Sequence, residues 1–331
     1  MGDLILVTGG AGYVGSHLTR KLLDRGYRVR VLDSFVYGDQ GLREIAEHPG
    51  IEVVVGDICD PTDLYRAMRG ASGVIALAAV VGDAACDLDP RRSIEINYES
   101  TQETLRACRK AGVQRLVFAS SCSVYGANGS DLLREDSHLN PVSLYARTRL
   151  MSEDLLLGDA GIEVVILRLA TVCGVSPRMR FDLMVNTMTA CAKVKGSVRV
   201  TGADQWRPHL HVQDAAEAFA RAVEVEDARG QIFNVGSDSQ NFTVGDIAEK
   251  VAARIPGAQV EYATNGSDRR SYRVSFERIR SILGFEGERT VDDAIDEVQG
   301  LLSSGVVADF TSERFHNAKW LSMTASRAGA A

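Results

Sequence analysis

Tyr145 and Arg149 stand four residues apart in a stretch with helical spacing, Leu144–Leu157. Side chains at i and i+4 share one helix face, so the phenol and the guanidinium are expected to be neighbours. An unperturbed tyrosine titrates near ~10, too high for a general base at neutral pH, and adjacent positive charge favours the phenolate. Arginine supplies that charge permanently, in a planar group that lysine does not reproduce. A second set of chemistry-bearing residues lies near the amino terminus. Gly9, Gly12 and Gly15 follow the apolar run Leu4–Val7, and Gly10, Gly12 and Gly15 spell GxGxxG. Glycines at this spacing let the chain turn sharply and let a pyrophosphate approach the backbone, while the helix that begins there offers free N–H groups to the phosphates. The next apolar run ends at Asp33, 18 residues beyond Gly15. A carboxylate there accepts hydrogen bonds from the adenosine ribose and repels a 2′-phosphate; Ser34, Phe35 and Val36 bring no arginine, so the pattern favours NAD over NADP.

The elements that must position these residues are legible as an alternation. Leu4–Val7, Val29–Leu32, Val53–Val55, Val74–Leu77, Leu116–Ala119 and Val164–Leu169 are short apolar runs suited to strands buried on both faces. Between them, Ser16–Arg25, Asp63–Met68, Ser93–Ala111 and Leu144–Leu157 carry helical spacing. This order predicts a doubly wound α/β fold with a parallel sheet. After about Thr171 the pattern loosens, with Pro177, Gly196, Gly202, Pro208 and Gly236 as punctuation. The expected division is a Rossmann-type nucleotide-binding domain over 1–170 plus about 205–235. A smaller mixed substrate-binding region is expected over about 171–204 and 236–331, packed on the carboxyl edge of the sheet. The last residues, from Thr324, read as a frayed tail.

The totals exclude several partner classes. A net charge of −7 with no basic block argues against nucleic acid. No apolar run reaches the length needed to cross a bilayer, and the amino terminus lacks a signal-peptide pattern, so the expected location is the cytoplasm, with no membrane partner. The six cysteines show no CxxC pair and read as reduced thiols. His209 and His211 would share one face of an extended segment, but without further ligands they read as a packing pair, and no metal site is expected.

The segment TGGAGYVGSHL, residues 8–18, resembles the opening of the extended short-chain dehydrogenase/reductases, the NAD-dependent sugar-nucleotide epimerase/dehydratase family, and the resemblance runs to about Gly284. It implies cofactor contacts from Tyr13 and Val14 beside the glycines, an adenine turn at Asp57 and Ile58, and a nicotinamide-side loop at Leu77, Ala78 and Ala79. It also places Asn97, in Asn-Tyr-Glu-Ser-Thr, among the cofactor-binding residues, where it helps to fix the central helix. Ser121, counted back from Val124-Tyr125-Gly126, falls on the family's catalytic serine. Tyr145 and Arg149 match the family's YxxxK with arginine in place of lysine, which implies that both also meet the nicotinamide end of the cofactor. On the substrate side, Arg168-Leu-Ala-Thr171 resembles R-x-x-N with Thr171 replacing asparagine. Asn186, Arg207 in Trp-Arg-Pro-His, and one of Arg269, Arg270 or Arg273, with Arg270 preferred, are the implied contacts to the sugar diphosphate. Ser123 is placed with them.

The resemblance permits several reactions. Family 4,6-dehydratases carry an Asp-Glu pair where this chain has Cys122-Ser123, and the decarboxylases carry Glu at the Ser123 position. Without those carboxylates, elimination and decarboxylation lack their acid and base. Cys122 reads as a small buried side chain. The leading expectation is an NAD-retaining nucleotide-sugar epimerase, at C4, working as a homodimer. The alternatives are a nucleotide-sugar 4-ketoreductase or dehydrogenase, and a catalytically silent NAD-binding regulator, suggested by the lysine-to-arginine change.

Overall fold

The computed structural model describes residues 2–158, 161–263 and 270–328. Its strands are β1 Leu4–Thr8, β2 Arg28–Asp33, β3 Ile51–Val55, β4 Gly73–Ala76, β5 Arg115–Ser121, β6 Ala127–Leu133, β7 Glu163–Leu169, β8 Thr171–Cys173, β9 Ser197–Thr201, β10 Trp206–His211, β11 Ile232–Val235, β12 Asn241–Thr243, β13 Gln259–Ala263 and β14 Ser271–Val274. Its α-helices are α1 Gly15–Asp24, α2 Pro61–Met68, α3 Asp83–Cys86, α4 Pro90–Ile94, α5 Ser100–Ala111, α6 Leu144–Leu157, α7 Met184–Lys195, α8 Val212–Glu224, α9 Val244–Arg254, α10 Glu277–Leu283, α11 Val291–Ser303 and α12 Asn317–Ala328.

Seven parallel strands form one sheet in the order β11-β7-β5-β4-β1-β2-β3. The chain order reverses between β1 and β4, which opens the crevice where such sheets bind ligands. Alternation along the strands sends successive side chains to opposite faces. Ile5 and Val7 of β1 join Leu18 and Leu22 of α1 and Phe219 of α8 on one face, while Leu6 joins Leu64 of α2 and Leu105 of α5 on the other. Helices therefore cover both faces, as the sequence pattern requires. Only β3 departs from double burial: as the edge strand it leaves Val53 and Val55 exposed. Among the described residues no helix is long and apolar enough to cross a membrane.

The rest of the chain builds small sheets, β12-β10-β8, β13-β9 and β14-β6; β9 and β13 pack on a second core with α7, α9 and α11, while β14 and β6 join the main core. Strand β10, expected with the nucleotide-binding part, pairs with β8 and β12 in one of these small sheets.

Two further differences from the sequence reading bear on the site. The stretch Ser93–Ala111 is not one regular helix: a π-helical turn, Glu95–Glu99, separates α4 from α5. Such a turn inserts a residue and frees backbone groups from the i to i+4 ladder. Of the expected tail, residues 324–328 continue α12, whose Ala318 and Leu321 pack on Val80, Ala85 and Cys86; the rest lies outside the described residues.

A buried ion pair ties β7 to α6. Arg168 donates to Glu153 from Nε and Nη2, the latter at 2.7 Å, and its Nη1 donates to the Tyr125 hydroxyl and the Glu135 carbonyl. The Ser120 hydroxyl donates to the same carboxylate, so the end of β5, and Ser121 with it, is fixed against α6. Replacing Arg168 by Met strands the Glu153 charge in the core and is expected to lower the unfolding free energy by about 3–5 kcal/mol. Urea denaturation measures this, and the double variant Glu153→Met/Arg168→Met should lose less than Arg168→Met alone.

Candidate active site

A cavity of about 880 Å³ runs from the glycine turn to the end of β5 and under the carboxyl-terminal helix. Gly9, Gly12, Tyr13, Val14, Gly15, Asp33, Asp57, Ile58, Leu77, Ala78, Ala79, Ser121, Ser123, Tyr145, Arg149, Thr171 and Arg270 all line it. Of the expected site residues, Asn97, Asn186 and Arg207 do not; Arg269 lies outside the described residues.

The turn is tight. Gly9 has φ +75°, and a Cβ there would stand 2.8 Å from the Ala78 nitrogen; a Cβ on Gly15 would collide with the Gly9 carbonyl oxygen. Gly9 and Gly15 are thus required by the packing of the turn on itself and on the loop after β4. Gly12 differs: a Cβ on it would meet only the Gly9 oxygen, at 3.1 Å, so this glycine keeps the cavity side open. Helix α1 begins here with no side-chain cap; in its first turn Ser16 N donates to Gly12 O and Leu18 N to Val14 O, each at 3.0 Å. Asp33 accepts from Ala11 N at 3.0 Å and Phe35 N at 2.9 Å, one bond on each oxygen, which leaves lone pairs for a ribose diol. Burial raises its pKa, partly offset by those two N–H groups. The residues of this crevice fit a dinucleotide.

At the far end, Ser121 closes β5 and caps the 3₁₀ turn Cys122–Tyr125, its oxygen accepting from Ser123 N at 3.2 Å. Its own proton stays available to donate. The Ser123 hydroxyl is buried, lines the cavity and has no hydrogen-bond partner among the described residues. Cys122 points the other way, its thiol donating to the Arg168 carbonyl, and burial pushes its pKa up.

Tyr145 is half-buried, with the Arg149 guanidinium carbon 5.6 Å from its ring centre. Arg149 donates from Nη1 to the Ala119 carbonyl at 3.2 Å and from Nη2 to the Asn97 carbonyl at 3.1 Å, and its Nε has no partner among the described residues. The expected depression of the Tyr145 pKa is not the net result. Burial raises it, and Arg149 offsets this only in part. Asn97 works behind both: its side chain clamps Val80 through bonds to N at 2.9 Å and O at 3.0 Å, while its carbonyl receives Arg149 and the Ser152 hydroxyl.

Asn186 and Arg207 are braces. The Asn186 amide donates to the Tyr13 hydroxyl, to Gly174 O and to Arg180 O, locking the 174–180 loop onto the glycine turn. Arg207 donates to Trp206 O, Arg270 O and Gln205, and stacks over Tyr272 at 5.4 Å; both Arg270 and Tyr272 line the cavity. Both side chains are buried, and the residues they hold, Tyr13 and Arg270, line the cavity.

Sequence reasoning missed Arg178, Arg180 and Asp182, and also His316–Lys319 and Leu321, which form another wall. The two arginines were visible as a pair, but nothing in their spacing says that they face β2 across the crevice. Arg178 lies over the Tyr37 ring at 4.2 Å, and burial followed by repulsion from Arg180 pushes its pKa down to about 10. Every carboxylate on the cavity wall is held: Asp33 by backbone N–H groups, Asp57 by Arg92 at 2.5 Å, Asp83 by Arg270 at 2.8 Å and Asp182 by Arg180 at 2.9 Å.

A family model described as the NAD dependent epimerase/dehydratase family matches residues 5–236. The chain is 29% identical over 265 residues to a probable UDP-arabinose 4-epimerase of Oryza sativa subsp. japonica, covering 70% of this chain and 65% of that one, so it spans just under two-thirds of that relative. It is also 29% identical over 294 residues to a 3 beta-hydroxysteroid dehydrogenase/Delta 5→4-isomerase of Mycobacterium tuberculosis, covering 82% of this chain and 77% of that one. Among solved structures, MoeE5 in complex with UDP-glucuronic acid and NAD matches with a TM-score of 0.79 and 29% identity, over 92% of this chain and 100% of that chain.

Because Arg149 opposes the burial of Tyr145, removing its charge must raise the phenol pKa further. An ultraviolet difference titration against Tyr145→Phe should show the Tyr145 midpoint move to higher pH in Arg149→Met.

Proposed function

The chain belongs to the NAD-dependent epimerase/dehydratase family, and on that premise we propose that it interconverts nucleotide-sugar 4-epimers through a transient 4-keto sugar, with NAD as its cofactor. The observation that carries this reading is the pairing of two facts about one cavity. Ser121, Ser123 and Tyr145 converge on it, and every carboxylate on its wall already has a partner. Elimination of water or loss of CO₂ would call for a free acid/base at Cys122 or Ser123, whereas oxidation at a carbinol needs only the phenol, the serine and the dinucleotide.

NAD, when bound, supplies a reversible acceptor for hydride. Gly9, Gly12 and Gly15, with Tyr13 and Val14, would hold its pyrophosphate against the first turn of α1, and Asp33 its adenosine ribose. Asp57 and Ile58 would flank the adenine, and Leu77, Ala78 and Ala79 the nicotinamide side. Tyr145 takes the proton from the sugar hydroxyl at its phenolic oxygen, and Ser121 bridges the two by hydrogen bond. Arg149 favours the phenolate. Ser123, Thr171 and Arg270 contact the nucleotide sugar, with Arg207 and Asn186 acting through the residues they brace. Exposed Met151 and Leu157 on α6 support a homodimer along α5 and α6.

Net oxidation of an alcohol is the second reading, favoured by the match to the steroid dehydrogenase over most of the chain. A panel of sugar nucleotides incubated without added NAD separates the two. Interconversion of a 4-epimer pair is expected; turnover that consumes added cofactor mole for mole would replace the epimerase reading. Tyr145→Phe should lower kcat by about 10²–10⁴ without releasing the cofactor.

A further inference from the structure

Asn317, the first residue of α12, is buried and bonded to separate walls of the cavity. Its backbone N–H donates to Asp182 at 2.9 Å and its side-chain oxygen accepts from Arg178 Nη2 at 2.7 Å. Its side-chain nitrogen donates to Val81 O at 3.4 Å. Three residues on, the Trp320 indole N–H donates to Val36 O at 2.6 Å. Val36 belongs to the loop after β2, Val81 to the loop after β4, and Arg178 and Asp182 to the segment that packs onto the glycine turn from the other side. One helix therefore bonds both banks of the crevice. Ala318 and Leu321 complete the span by packing among Val80, Ala85, Cys86 and Tyr145.

The segment before α12 is anchored independently. Phe310 and Phe315 meet the Phe181 ring edge-on at 5.8 and 5.4 Å, and the Phe315 carbonyl accepts from Phe181 N.

We propose that α12 is a strap that retains the dinucleotide, with Asn317 as its latch and Trp320 as its second tie. The inference rests on the reading of the crevice as an NAD site. A ligand beneath the strap leaves only in the fraction of time the strap is open, so its release rate reports the strength of those ties. Asn317 and Trp320 are positioning residues: they hold the wall and leave the proton-transfer groups untouched.

The test is the release rate of NAD from the full-length, NAD-loaded protein, chased with an excess of fluorescent etheno-NAD. Asn317→Ala removes two side-chain bonds and strands Arg178, and should speed release tenfold or more. Trp320→Phe keeps an aromatic ring but deletes the bond to Val36, and should speed release about fivefold. Urea denaturation run in parallel identifies variants that fold, and if Asn317→Ala does not, Trp320→Phe decides alone. Release within twofold of the parent from every folded variant overturns the strap and leaves the NAD reading standing. A parent protein that binds no NAD overturns both.

Discussion

A buried guanidinium placed beside a half-buried phenol needs acceptors other than water. A carboxylate would satisfy it but would cancel the charge that the phenol requires. The solution in this chain is two backbone carbonyls. Ala119 offers one from the end of β5, and Asn97 offers the other from the π-helical turn Glu95–Glu99. Arg149 is thereby held by neutral dipoles and keeps its charge directed at Tyr145. The same Asn97 grips Val80 with its side chain, so the loop beside the reactive end and the cation beneath it are set by one residue.

Charge on the remaining walls is handled in the opposite way, by pairing. Asp57, Asp83 and Asp182 each meet an arginine, and Arg168 with Glu153 carries the pattern into the core. Arg178 is the exception, balanced by an amide oxygen and an aromatic face. A cavity whose carboxylates are spoken for has few groups free to move protons. This narrows its chemistry to what a phenol and neighbouring hydroxyls can do.

The layered α/β order, the glycine turn, the Asp33 carboxylate and the Tyr145–Arg149 pair were legible in the order of the residues. These rest on local physics: alternation of apolar runs, the steric freedom of glycine, and the i, i+4 geometry of a helix. The substrate-side residues were legible only as types. Asn186 and Arg207 have the chemistry of ligand contacts, and the packing of the second region buries them with bonds to Tyr13 and Arg270. Tertiary structure alone decided the net direction of the Tyr145 shift, because burial is a property of the assembled walls and outweighs a neighbour that spacing can reveal. It alone placed Arg178 and Asn317, some 140 positions apart, within one hydrogen bond of each other over the mouth of the crevice. Nothing periodic in a sequence encodes a contact at that separation; it exists only once both regions are packed on the same sheet edge.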